Sequence, residues 1–106
     1  MLSVSAATKT YDADPQSVYN AAVRMAQRSK YKLTRADEAD KVITLKTGMS
    51  WNTWAGQEIR LTIEAHPGGG SEVRIVTRPR GFQTFDWDEG QRISERLLTA
   101  LADEVK

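Results

Sequence analysis

Residues 58–78 read EIRLTIEAHPGGGSEVRIVTR, and their pattern decides the fold. Ile59, Leu61, Ile63 and Ala65 share one parity against Arg60, Thr62 and Glu64, the alternation of a strand with one buried face. Val73, Ile75 and Thr77 repeat it against Arg74, Val76 and Arg78, and His66-Pro67-Gly68-Gly69-Gly70-Ser71 reverses the chain between the two runs. A one-residue slip would turn every apolar side chain outward, so Ile59, Leu61 and Ile63 must find same-face partners among Val73, Ile75 and Thr77. Whether Glu64 faces Glu72 or Arg74 depends on the detail of the turn, and opposite charge favours Arg74. Pro79 has no donor for a ladder and is expected to end the second strand.

Working outward from the hairpin, GMSWNTWAG (48–56) is a loop carrying Met49, Trp51 and Trp54, and VITLKT (42–47) before it is a strand with Ile43 and Leu45 on one side. That strand returns from a shorter one at Tyr31–Thr34, with Arg35-Ala36-Asp37-Glu38-Ala39-Asp40 as the connection. Asp14-Pro15 opens a helix to about Ser29: aspartate caps free N–H groups, and proline at the first helical position loses no bond. Val18, Ala22, Met25 and Ala26 form its apolar stripe, widened by Tyr19 and Val23. Val4–Tyr11 alternates weakly, as an edge strand does. On the other side of the hairpin, Arg80–Trp87 is a connection holding Phe82, Phe85 and Trp87. A last helix, from about Asp88 to Glu104, follows on the spacing of Ile93, Leu97, Leu98, Leu101 and Val105, with Asp86 or Asp88 as its cap and Gln91 in the capping-box position.

The element order is therefore β-α-β-β-β-β-α. Every strand from Tyr31 onward has one apolar face and two amphipathic helices are available to cover it, which predicts a two-layer α+β domain. Its expected form is a curved antiparallel sheet of four to five strands with two helices on one face, spanning 1–106. This order resembles, in reduced form, the helix-grip folds (Bet v 1-like and START-like), which include lipid-transfer and polyketide-cyclase-like domains. Asp14-Pro15, TGMSWNTWAG (47–56), the glycine-rich turn 67–71, and Asp86-Trp87 through Arg92 before Leu97 and Leu98 also resemble a group of small bacterial domains of unknown function. That likeness implies a fold and no catalytic residue.

Composition removes several chemistries. The 106 residues contain no cysteine, so disulfides, thiolate metal sites and a cysteine nucleophile are excluded. His66 is the single histidine and sits in a turn, which leaves no triad or multi-histidine site. Gly68–Gly70 joins two strands, whereas a phosphate loop presents its amides at a helix start. The acids Asp37, Glu38 and Asp40 offer too few ligands for a calcium cage, and Asp86, Asp88 and Gly90 depart from the spacing of a calcium loop. No cofactor, metal or enzymatic activity is expected. With 15 basic and 14 acidic residues the net charge is +1, which argues against nucleic acid as a partner; a weak contact through Arg60, Arg74, Arg78 and Arg80 is the residual form of that reading. MLSVSAATKTYDA (1–13) has neither a basic nor an apolar leader region, and no apolar run approaches a membrane span. The expectation is a soluble, cytoplasmic domain, with no signal for its oligomeric state.

The aromatic segments are what remain. Their rings either plug the end of the core under the last helix or form a partly exposed recognition surface. The expected function is a non-enzymatic binding or interaction module whose partner, a protein or a small apolar ligand, meets Met49, Trp51, Trp54, Phe82, Phe85 and Trp87. The alternative is a helix-grip carrier or enzyme for a small apolar ligand or lipid, with a cavity between sheet and last helix.

Overall fold

The computed structural model describes residues 5–47, 56–80 and 87–105. The elements are β1 (Ser5–Tyr11), α1 (Pro15–Arg28), β2 (Lys32–Asp37), β3 (Val42–Lys46), β4 (Gly56–Ala65), β5 (Ser71–Arg80) and α2 (Trp87–Val105). All five strands form one antiparallel sheet in the order β1-β5-β4-β3-β2, and both helices pack on it. This is the α+β layout that the apolar parities require. No helix among the described residues is long and apolar enough to cross a membrane.

The hairpin 58–78 supplies the middle strand and its neighbour. Register pairs Ile59 with Thr77, Leu61 with Ile75 and Ile63 with Val73, and β3 adds Leu45 beside Ile59 and Ile43 beside Leu61. With α1 contributing Val18, Ala22 and Met25, and α2 contributing Ile93, Leu97 and Leu101, these side chains form one core. Burial of each large aliphatic stabilises the fold by about 2 kcal/mol.

Local chemistry fixes the ends of α1. Asp14 is its N-cap: Ser17 N donates to Asp14 Oδ2 (3.0 Å) and Ser17 Oγ to Asp14 Oδ1 (2.6 Å), and these bonds hold the Asp14 carboxyl below its ordinary range. At the other end Ser29 Oγ donates to Ala26 O (2.8 Å) and accepts from Tyr31 N (3.2 Å), turning the chain into β2.

Four expectations are corrected. The strand read as Tyr31–Thr34 continues to Asp37, because a bulge between Leu33 and Arg35 breaks the period: Leu33 pairs with Leu45, Arg35 with Thr44, Ala36 with Ile43. Pro79 does not end β5, which runs to Arg80 with Pro79 opposite Gln57. Gln57 directs both its C=O (from Thr47 N, 3.0 Å) and its N–H (to Thr47 Oγ1, 3.2 Å) toward β3. Gln57 and Pro79 are therefore a non-hydrogen-bonded pair, in which proline removes nothing from the β4–β5 ladder. Glu64 faces Glu72 rather than Arg74. The turn decides this, since His66 N donates to Gly70 O (3.1 Å) and Gly69 N to His66 O (2.9 Å), closing a five-residue loop between the paired Ala65 and Ser71. Trp87 is the first residue of α2, and Arg80 belongs to β5, so the connection between them is shorter than expected.

Tyr11 ties the edge strand to the last helix. Its hydroxyl donates to Leu98 O at 2.8 Å, and burial pushes the phenol up to about 12. Unfolded tyrosine ionises near pH 10, so the stabilisation from neutral Tyr11 is complete below about pH 10 and is lost as pH rises toward 12. Tyr11→Phe is expected to cost about 1 kcal/mol at neutral pH and to flatten the alkaline fall in stability. Part of that fall remains, because burial also raises Tyr19. Denaturant melts across pH 8–12 check both points.

Candidate functional site

The inner face of the sheet changes character along its length. Three apolar rows cross its middle, Leu33-Leu45-Ile59, Ala36-Ile43-Leu61-Ile75-Ala7 and Ile63-Val73. Beyond each end the inner face becomes polar. At the end nearest the 66–70 turn sit Ser71 and Tyr11, both buried and both satisfied: Ser71 Oγ donates to Ala13 O at 2.6 Å, Tyr11 to Leu98 O.

At the opposite end lie Gln57 on β4 and Thr77 on β5. They are diagonal neighbours on the inner face, because Gln57 is opposite Pro79 and Thr77 opposite Ile59. Their exposures are 4% and 0%, yet no hydrogen-bond partner meets Gln57 Oε1 or Thr77 Oγ1 among the described residues. Ser94 Oγ shares this condition at 0% exposure, one turn before Leu98 on the buried side of α2, the helix that packs across β1 and β5. Leaving such a group unpaired in the interior costs about 1–3 kcal/mol, so three of them are expensive in a small domain. The set offers one pure acceptor, the Gln57 carbonyl, and two hydroxyls that both donate and accept. None of the three exchanges protons near neutral pH.

The aromatic segments attach at this same end. Segment 48–55 leaves β3 after Thr47 and enters β4 at Gly56, which pairs with Arg80, the last residue of β5 before segment 81–86. Met49, Trp51, Trp54, Phe82 and Phe85 lie outside the described residues, as do Asp86 and the cap of α2; of Trp87 only its place at the start of α2 is described.

Other candidates have local roles. His66 Nδ1 accepts from Gly68 N at 3.1 Å, stabilising its own turn. Asp37 accepts from Asp40 N (3.1 Å), and Glu38 from Gln16 Nε2 (3.2 Å). On the outer face Arg78 and Arg60 both approach Glu58, at 2.8 and 3.8 Å, which offsets part of the positive charge there.

Gln57, Thr77 and Ser94 were not singled out as site residues by sequence reasoning. The available signal was positional: Gln57 and Thr77 share the parity of Ile59, and Ser94 precedes Leu97, Leu98 and Leu101 at i+3, i+4 and i+7. Polar residues on apolar stripes are the places to ask what they bind.

An antiparallel sheet carrying a long C-terminal helix across its inner face defines the helix-grip class, and the chain has that fold. No protein-family model and no curated protein matches the sequence. Among solved structures, the chain is similar to Ara h 8.0201 (TM-score 0.66, 11% identity, covering 99% of this chain and 98% of that one). It is also similar to protein CV1439 from Chromobacterium violaceum (0.62, 13%, 96% and 96%) and to the Zhui aromatase/cyclase from Streptomyces sp. R1128 (0.60, 10%, 99% and 92%). At these identities the likeness is one of fold.

Proposed function

We propose that this chain is a non-enzymatic binding protein for a small, largely apolar molecule that carries a hydrogen-bond donor. The molecule lies at the polar end of the inner sheet face, against Gln57 and Thr77 and beneath α2. The observation that carries this reading is that Gln57 Oε1, Thr77 Oγ1 and Ser94 Oγ are buried with no hydrogen-bond partner among the described residues. A ligand hydroxyl or amide donating to Gln57 offsets the penalty these atoms impose, while the apolar rows that begin at Ile59 and Leu45 receive its hydrocarbon part. Met49, Trp51, Trp54, Phe82, Phe85 and Trp87 supply the aromatic part of the contact in this reading, since their segments attach at the same end. Amide and hydroxyl side chains recognise without moving protons, which favours binding over catalysis. The similarity to an aromatase/cyclase is one of fold and says nothing of turnover here.

The test compares 2-naphthol with 2-methoxynaphthalene, which keeps the ring and lacks the donor, by fluorescence titration. The hydroxyl compound is expected to bind at least about tenfold more tightly, and Gln57→Leu is expected to erase the difference. Equal affinity of the two compounds for the parent protein rules the reading out.

A further inference from the structure

A cavity lies between the C-terminal end of α1, the residues that lead into β2, and the C-terminal half of α2. It measures about 240 Å³, and its floor is Met25, Leu97, Tyr31 and Ala100. Met25 and Leu97 are each 2% exposed, so the floor is a continuation of the core. The rim is charged and one-sided: Arg28, Lys30 and Arg96 stand against Glu104 alone.

The single carboxylate is already engaged. Arg24 Nε lies 3.3 Å from Glu104 Oε1, Arg28 Nη1 holds Oε2, and Arg24 Nη2 donates to the Glu104 carbonyl at 3.4 Å. Lys30 and Arg96 have no hydrogen bond or ion pair among the described residues, and the Lys30 ammonium rests 5.6 Å from the centre of the Tyr31 ring. An apolar floor thus meets two cations that have no carboxylate partner among the described residues, on a chain whose total charge is only +1.

We infer that this groove binds a small apolar monocarboxylate, with its hydrocarbon on Met25 and Leu97 and its carboxylate between Lys30 and Arg96. Two features select that class. The sign of the rim favours an anion, because charge-assisted hydrogen bonds from lysine and arginine to a carboxylate are the strong ones. The volume of 240 Å³ limits the size, since at ~30 Å³ per water-sized unit it holds about eight heavy atoms, the size of hexanoate. None of Gln57, Thr77 and Ser94 lines this cavity.

The experiment is an NMR titration of the whole chain with hexanoate and, in parallel, hexan-1-ol. Hexanoate is expected to shift the Met25, Leu97 and Ala100 methyl signals saturably and to bind at least about tenfold more tightly than the alcohol. That preference should shrink with added salt. The exposed double substitution Lys30→Gln/Arg96→Gln should keep the folded spectrum and remove the preference. The inference is overturned by equal binding of acid and alcohol, by absence of a saturable shift, or by shifts centred on Gln57, Thr77 and Ser94. The last result would assign the carboxylate to the other site.

Discussion

Thr77→Val is expected to make the protein more stable and a poorer binder. Threonine and valine have the same shape, and Thr77 is fully buried with no partner for its hydroxyl among the described residues. The substitution therefore removes an unpaired polar group without opening a cavity, for about 1–2 kcal/mol of added stability. In a domain of this size Tm rises by roughly 4–8 °C for each kcal/mol. Ser71 provides the control on the same strand and face. It is equally buried, but its hydroxyl donates to Ala13 O at 2.6 Å, so Ser71→Ala is expected to lose about 1 kcal/mol. Two buried hydroxyls of β5 should thus respond with opposite sign in the same denaturant series. If Thr77→Val loses stability as Ser71→Ala does, then Thr77 is satisfied within the fold and is not held ready for a ligand. A gain in stability coupled to weaker 2-naphthol binding is the trade that binding sites make.

The second large effect concerns the turn between β4 and β5. Gly70 has φ +79°, and a Cβ built there would stand 2.3 Å from the Tyr11 carbonyl oxygen and 3.5 Å from Asp12 Cα. Backbone atoms cannot step aside as a flexible side chain can. Gly70→Ala should therefore combine left-handed strain with separation of β1 from β5, costing about 3 kcal/mol or more. Gly69 is the comparison: its φ is +105°, but nothing lies within 4 Å of the added Cβ. Gly69→Ala should show the backbone strain alone, about 1–2 kcal/mol. Urea unfolding of the two variants separates conformational strain from collision, and equal losses would show that the close approach of Tyr11 contributes nothing.

What could be read from the sequence follows from how local each cause is. Ile59, Leu61, Ile63, Val73 and Ile75 announce their strands through parity, and Asp14-Pro15 announces its helix through capping, because both effects act within a few residues. The end of β2 was missed because one inserted residue at Thr34 reverses the parity of everything after it. Pro79 was misjudged because what matters is the side toward which its absent donor points, and that is fixed by the pairing of Gln57 with Thr47. Charge favours Arg74 opposite Glu64, whereas the turn on which the choice depends sets Glu72 there through its own hydrogen bonds. The candidate site was harder still. Gln57, Thr77 and Ser94 are ordinary residues for strand and helix, and only their burial, a property of the whole packed chain, makes their lack of partners visible. The aromatic residues named from sequence lie outside the described residues, apart from the helical position of Trp87.

The sheet order also imposes a sequence of events on folding. Strands β2 to β5 lie side by side in chain order and can assemble as a running meander, each pairing with the strand before it. β1 has one sheet partner, β5, with Tyr11 set opposite Ser71, so the first strand made must wait for the last. Its remaining anchors are equally distant, the Ser71–Ala13 bond spanning 58 residues and the Tyr11–Leu98 bond 87. Closing such long loops is slow. During synthesis β1 therefore emerges with no strand to join until β5 follows, and a chain halted before Ser71 holds a four-strand design with one strand unmatched. That interval is when a chaperone would have most to hold.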